Sequence, residues 1–244
     1  FDKKFLKDLK KYQKKRFKLI IKKFKDNRLK NHLISCGFKK NHIIDIDEFK
    51  VLKLSQKTKF IILPQESSSN TPNQYVKYDL DTSCVYIDEN VRLYNQVDNP
   101  YSIYDIKKIM KKLRKIVNIK FDLAFIPYCA ASEFPQSFIN LNRKKEKNNI
   151  ISSRIKKFIN IGESIKCKVI IPAGGSYLLD NIFSKLNNYL AVPEFKTINN
   201  LFNKYKSKKF DVVNTNKFYF LADKYKIEYK KNFFIKYFKI IYLN

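Results

Sequence analysis

The chain has 244 residues, 44% of them hydrophobic, which is enough to fill the core of one large domain or two small ones. It carries 51 lysines and arginines against 22 acidic residues, a net charge of +29, and only two histidines, His32 and His42. No H-x-H, H-x-x-H or H-E-x-x-H occurs, which excludes a self-contained histidine metal site, and no apolar run is long enough for a transmembrane helix.

The opening stretch FDKKFLKDLKKYQKKRFK does not read as a signal peptide, because charge interrupts every apolar run. Phe5, Leu6, Leu9 and Tyr12 fall at helical spacing, and RFKLIIKKF reads as a short strand around Phe17 to Ile21. DNRLKNHLISCGF is a second helix, with Leu29, Leu33 and Ile34 assigned to its inner face and Gly37 as its stop. From HIIDIDEFKVLKLS the period changes to two, with Ile44, Ile46, Phe49, Val51 and Leu54 on the apolar side, and KFIILP continues a sheet. The polar loop 65–74 is read as lying inside one domain, since strand patterns resume after it. TSCVYID and VRLYNQV form a hairpin that turns at Glu89 and Asn90.

The pattern then becomes strand and helix in alternation. Ser102 and Asp105 make a capping box for SIYDIKKIMKKLRKIV, whose stripe is Ile103, Ile106, Met110, Leu113 and Val117. FDLAFIP and CKVIIPAGG are buried strands, and KNNIISSRIKKFIN between them is a helix with Ile151, Ile155, Phe158 and Ile159 inward. TINNLFNKY is a further helix, and the terminal strands and tail occupy about residues 209–244. Antiparallel strands followed by alternating strands and helices predict an α/β fold of mixed sheet flanked by helices. Loops at strand ends carry sites in such sheets, which singles out DNPYS, PYCAASEFPQSF and PAGGSYLL.

A charge of +29 points to an anionic partner. Lysine far outnumbers arginine and recurs in almost every predicted helix, a distribution that A/T-rich codon usage also produces, so a nucleic-acid partner stays open but is not favoured. Cys36, Cys84, Cys129 and Cys167 are widely spaced and form no C-x-x-C pair; reduced thiols and a cytoplasmic setting are expected. Cys129 and Ser132 lack a local base, and the Gly-Gly of AGGS lacks the lysine and spacing of a P-loop. Asp79 and Asp81 precede a strand and Asp98 closes the next. Carboxylates on neighbouring strand ends suit a divalent metal, while turn and cap roles are the simpler alternative.

Five segments, LKNHLISCGFKKNHIIDI, DTSCVYIDENVRLYNQVDNP, FDLAFIPYCAASEFPQSF, CKVIIPAGGSYLL and KFDVVNTNKFYF, taken in order, resemble the later part of a metallo-β-lactamase-fold protein. The nearest branch is that of CMP-N-acetylneuraminate hydroxylase and related sugar-nucleotide hydroxylases. The resemblance implies a four-layer αββα fold and makes residues 1–244 one partial domain. It implies Asp98 as a metal ligand, and Asn99, Ser132, Gln136, Gly174, Gly175 and Ser176 as substrate-binding residues. The family's H-x-H-x-D-H loop is absent and would lie before Phe1, and a start on Phe1 rather than Met fits a fragment. The cofactor, zinc or iron, is therefore implied only if those ligands exist upstream. No catalytic residue is assigned. The function so implied is metal-dependent hydrolysis, or hydroxylase-like oxidation, of an anionic phosphate- or nucleotide-bearing substrate. The alternative is a metal-free, non-catalytic binding module for an anionic carbohydrate or nucleic acid.

Overall fold

In the computed structural model, β1 (Leu19–Lys22) and β2 (Ile43–Ile46) pair in parallel, with α1 (Arg28–Ser35) between them in the chain. The structure describes residue 4 and residues 18–24, 27–65, 82–97, 99, 101–117, 120–129, 132–174, 178–204, 210–212, 219–221 and 227–229. The first helix expected from the sequence, around Phe5 to Tyr12, lies outside them. Gly37, at φ 92°, lets Phe38 N–H reach the Leu33 carbonyl (3.1 Å) and its own N–H reach that of Ile34 (2.8 Å). This is a Schellman closure, and it places Phe38 beside Leu33 in a small core with Cys36 and Ile43. Ile34 departs from expectation. It is exposed, because it follows Leu33 by about 100° around the helix and cannot share its inward direction. Lys22 is buried and reaches Glu48 at 2.8 Å, while Lys30 pairs with Asp45, so charge is neutralised where this unit closes.

The main sheet has seven strands in the order β3-β4-β5-β6-β7-β8-β9. β3 (Val51–Lys53), β4 (Lys59–Leu63), β5 (Ser83–Ile87) and β6 (Arg92–Asn95) are antiparallel. β6, β7 (Phe121–Pro127), β8 (Cys167–Ala173) and β9 (Asp211–Val212) are parallel. The mixed α/β architecture read from the sequence is therefore present. Leu54 lies just past β3 and is exposed, ending the alternation one residue early. A separate hairpin pairs β10 (Tyr219–Leu221) with β11 (Ile227–Tyr229).

The parallel strands are joined by α2 (Ile103–Val117), α3 (Arg143–Ile165) and α4 (Phe195–Lys204). Strand order runs one way from β6 to β9, so right-handed connections put all three helices on one face. α2 touches α3, and α3 touches α4, as that requires. Ser102 caps α2: its Oγ accepts the Asp105 N–H (3.0 Å) and donates to Asp105 Oδ2 (2.7 Å). Asn142 caps α3 by accepting the Lys145 N–H at 3.0 Å. Ile106, Met110, Leu113, Ile155 and Phe158 then fill one core with Ile61, Val85, Tyr94 and Ile126. Gly162 is the tightest point of that core, where an added Cβ would sit 2.5 Å from Ile170 Cδ1 and 2.7 Å from Phe210.

Candidate functional site

β6, β7 and β8 run in one direction, and their registers pair Asn95 with Phe125 and Pro127 with Ala173. Their C-terminal ends, from which the three loops singled out in the sequence leave, therefore lie along one edge of the sheet. Strand order does not reverse between β6 and β9, so no switch-point crevice forms there. The loops themselves must shape any site.

At the β6 exit, Gln96 extends the ladder by donating its N–H to the Phe125 carbonyl (3.0 Å). Asn95 Oδ1 accepts the Val97 N–H at 3.0 Å and folds the chain back. Asn99 is buried, and its Nδ2 contacts the Pro64 carbonyl (3.0 Å), Ser83 Oγ (3.0 Å) and Tyr101 Oη (3.1 Å). The Tyr101 hydroxyl donates to the same Pro64 carbonyl. This buried brace ties the end of β4 and the start of β5 to the turn before α2. Burial, above all, pushes the phenols of Tyr94 and Tyr101 upward, so both stay protonated donors.

Two glutamines at this edge differ from the brace. Gln96 is fully buried, and its Oε1 accepts the Tyr94 hydroxyl at 3.0 Å, while its Nε2 has no hydrogen-bond partner. Gln136, in the turn after the cis Phe134–Pro135 bond, is also fully buried. Its orientation is fixed through Asn187. Asn187 donates Nδ2 to the Leu179 carbonyl (2.8 Å), and its Oδ1 accepts both the Leu179 N–H (2.9 Å) and Gln136 Nε2 (2.8 Å). Gln136 Oε1 is then a buried acceptor with no donor.

Between the β7 and β8 exits, Tyr128 N–H donates to the Ala173 carbonyl (3.2 Å). Cys129 packs against Gly174, where a Cβ would lie 3.5 Å from the Cys129 carbonyl oxygen and 3.6 Å from its sulfur. Space is adequate there; the φ of +126° is what excludes other residues. Burial raises the Cys129 thiol above its usual range, opposed by a hydrogen bond from Tyr128 and by the charge of Arg154 on α3. Burial likewise pushes the Tyr128 phenol to about 12. A protonated thiol is a poor nucleophile. His32 and His42 belong to the β1–α1–β2 unit, in and just after its helix.

Of the residues assigned from sequence, Asn99, Ser132, Gln136 and Gly174 lie on these loops. Ser132 Oγ accepts the Phe134 N–H at 3.3 Å, and Asn99 sits in the brace. Asp98, Gly175 and Ser176 lie outside the described residues, as do Asp79 and Asp81. Sequence reasoning missed Gln96, Asn187 and Arg154. Arg154 had a signal: it stands three residues after Ile151 and four before Phe158, on the helix stripe that turns inward, where a lysine-rich helix would not spend a solvated charge. Asn187 had none, because the 3-10 segment Asn181–Tyr189 carries no pattern that separates it from a loop.

The described side chains at this edge are amides, hydroxyls, one thiol of raised pKa and the exposed carboxylate of Glu133. Among the described residues, no group of three or more His, Cys, Asp or Glu stands close enough to hold a metal. A zinc centre needs imidazoles or thiolates and a magnesium or calcium centre needs carboxylates, so the described residues do not fit a catalytic metal. Asp105, the carboxylate just beyond Asn99, is engaged with Ser102 in the helix cap. No helix among the described residues is long and apolar enough to cross a membrane.

No family model and no curated protein sequence matches the chain. Among solved structures it is similar to a protein of Parabacteroides distasonis described as "putative metal-dependent hydrolase", at 13% identity and a TM-score of 0.39, over 82% of this chain and 77% of that one. It is also similar to unliganded yeast PDE1, at 8% identity and a TM-score of 0.38, over 71% of this chain and 48% of that one. At such scores neither likeness bears on what the loops bind.

Proposed function

We propose that the protein binds an anionic, phosphate- or nucleotide-bearing small molecule where β6, β7 and β8 end. The observation that carries this reading is the pair of fully buried glutamines, each with one unpartnered polar atom. An unsatisfied buried group costs about 1–3 kcal/mol, which a ligand that meets it recovers. Gln96 Nε2 offers a donor and Gln136 Oε1 an acceptor, which suits a ligand bearing both oxygen acceptors and hydroxyl or amine donors. Arg154, whose field reaches Cys129, supplies the positive charge an anion needs. Ser132, Gly174, Gly175 and Ser176 are assigned to the same site by their place in the sequence, and Asn99 borders it through the brace.

Hydrolysis of that ligand is the further step of this reading. It takes Asp98 as one ligand of a divalent metal, zinc or iron, whose other ligands come from outside the described residues. The amide and hydroxyl donor set favours a second reading, a metal-free binding module for the same ligand class. No observation favours the hydroxylase branch. Metal analysis of the purified full chain, with and without Asp98→Ala, separates the two. Bound metal that is lost in the variant supports the hydrolase, and a folded, metal-free protein that still binds ligand leaves the binding module. Thermal-shift titration with inorganic phosphate and nucleoside monophosphates tests the binding itself. Saturable stabilisation that disappears in Gln136→Met is the expected result, and no stabilisation by any of them overturns it.

A further inference from the structure

Large apolar side chains are exposed unevenly over the described residues. Six of the ten most exposed lie on just two segments: Phe134, Phe138 and Ile139 in the β7–α3 loop, and Leu178, Ile182 and Phe183 around the 3-10 segment after β8. The two segments are held together as one surface. Gln136 Nε2 donates to Asn187 Oδ1 at 2.8 Å, Lys147 Nζ donates to the Asn188 carbonyl at 2.9 Å, and the Arg143 guanidinium lies 5.4 Å from the centre of the Tyr189 ring. Phe134 and Phe138 meet edge to face with their ring centres 5.3 Å apart. Arg143 Nε also donates to the Phe138 carbonyl at 2.7 Å, which fixes the loop tip.

These side chains protrude. Ile182 is 83% exposed, Ile139 74% and Leu178 72%, so they are knobs on a surface rather than the lining of a groove. Protruding apolar groups have no preformed cavity to enter and suit a medium that flows around them. Exposed Lys144, Lys145 and Lys185 stand on the same two segments. Residues 132–147 and 178–189 together hold five basic and three acidic residues, within a chain of net charge +29.

We propose that this surface docks the protein on an anionic lipid bilayer, with the six apolar side chains inserted at the headgroup boundary and the lysines against lipid phosphates. Interfacial binding needs both terms: a few apolar groups for insertion and positive charge for attraction to acidic lipids. The same charge argues against a second copy as the occupant, since two chains of +29 repel when brought face to face. The attachment is peripheral. Gln136 stands between Phe134 and Phe138 in the sequence, so the docking surface and the proposed ligand site share the β7–α3 loop.

The test is co-sedimentation of the full chain with vesicles of phosphatidylcholine alone, and of phosphatidylcholine mixed with phosphatidylserine. A triple variant, Ile139→Ser, Ile182→Ser and Phe183→Ser, is compared with Tyr104→Ser, which alters an exposed aromatic on α2. All three altered side chains are exposed, and matching thermal melts confirm that the fold is kept. Wild type and Tyr104→Ser are expected to sediment with the phosphatidylserine vesicles, and the triple variant to lose about tenfold or more in affinity, since each lost apolar anchor is a large share of a weak interfacial association. Equal sedimentation of wild type and triple variant would reduce the effect to charge alone and overturn the proposal. So would a wild type that stays in solution, or one that self-associates through this face in analytical ultracentrifugation and ignores lipid.

Discussion

Two sets of buried polar groups lie at the strand ends and in the loops that leave them, and they are built differently. In the brace, the Asn99 amide nitrogen meets the Pro64 carbonyl, Ser83 and Tyr101, and Tyr101 meets Pro64 again. Among the glutamines, Gln96 Nε2 and Gln136 Oε1 are just as deeply buried and meet nothing. Burial alone does not tell a structural polar group from a functional one. Completion of the hydrogen bonds does, because a satisfied network adds stability while an orphaned atom subtracts it.

That difference can be broken by mutation. Asn99→Leu should have the largest effect, a loss of about 3 kcal/mol in chemical denaturation, because it removes the amide that joins the Pro64 carbonyl, Ser83 and Tyr101 and puts a branched apolar side chain among them. A loss below about 1 kcal/mol would place the brace and the glutamines in the same class. Gly174→Ala comes next, at about 1–2 kcal/mol, from the φ of +126° rather than from crowding. Crowding would show instead as a shifted Cys129, detectable by a changed rate of thiol labelling. Gln136→Met, and Gln96→Met combined with Tyr94→Phe, should leave stability within about 1 kcal/mol of wild type, since each deletes an orphaned atom without stranding its partner. Denaturation midpoints that fall as far as that of Asn99→Leu would show the glutamines to be structural.

The smallest effect at neutral pH comes from the buried acids. Burial raises Cys84 from 9.0 to about 11 and Cys167 from 9.0 to about 12, and Tyr94 and Tyr101 move the same way. A group whose pKa is higher folded than unfolded favours the fold fully below its unfolded value and loses that contribution as pH rises through the folded one. These groups should therefore leave stability unchanged up to about pH 9 and lower it steadily towards pH 12. Urea denaturation across that range, repeated on Cys84→Ala with Cys167→Ala, checks the sign: the double variant should lose less on going alkaline.

The fold was legible in the sequence where periodicity and burial agree. FDLAFIP and CKVIIPA are nearly continuous apolar runs and became the central parallel pair, and the Ser102–Asp105 cap fixed the start of α2. Ile34 and Leu54 were misplaced because hydrophobicity marks what can be buried without saying which way the chain turns. At the site, the sequence singled out the three loops that the parallel strands bring to one edge. It offered Gln136 but not its partner Asn187, since their hydrogen bond joins residues far apart in the chain through a 3-10 segment of no pattern. Nor did it mark Gln96 as orphaned, because satisfaction of a polar atom is a property of packing that no single residue carries.

The most direct test of the account is calorimetric titration of the full chain with inorganic phosphate and nucleoside monophosphates, for wild type, Gln136→Met, Arg154→Gln and the surface control Tyr104→Ser. Saturable binding by wild type and Tyr104→Ser, weakened about tenfold or more in each of the other two, is the expected result, since a charge-assisted or buried hydrogen bond to the ligand contributes about 1.4 kcal/mol or more. Binding that is absent, or equal in all four proteins, would contradict it and leave the two glutamines as unexplained orphans of the fold.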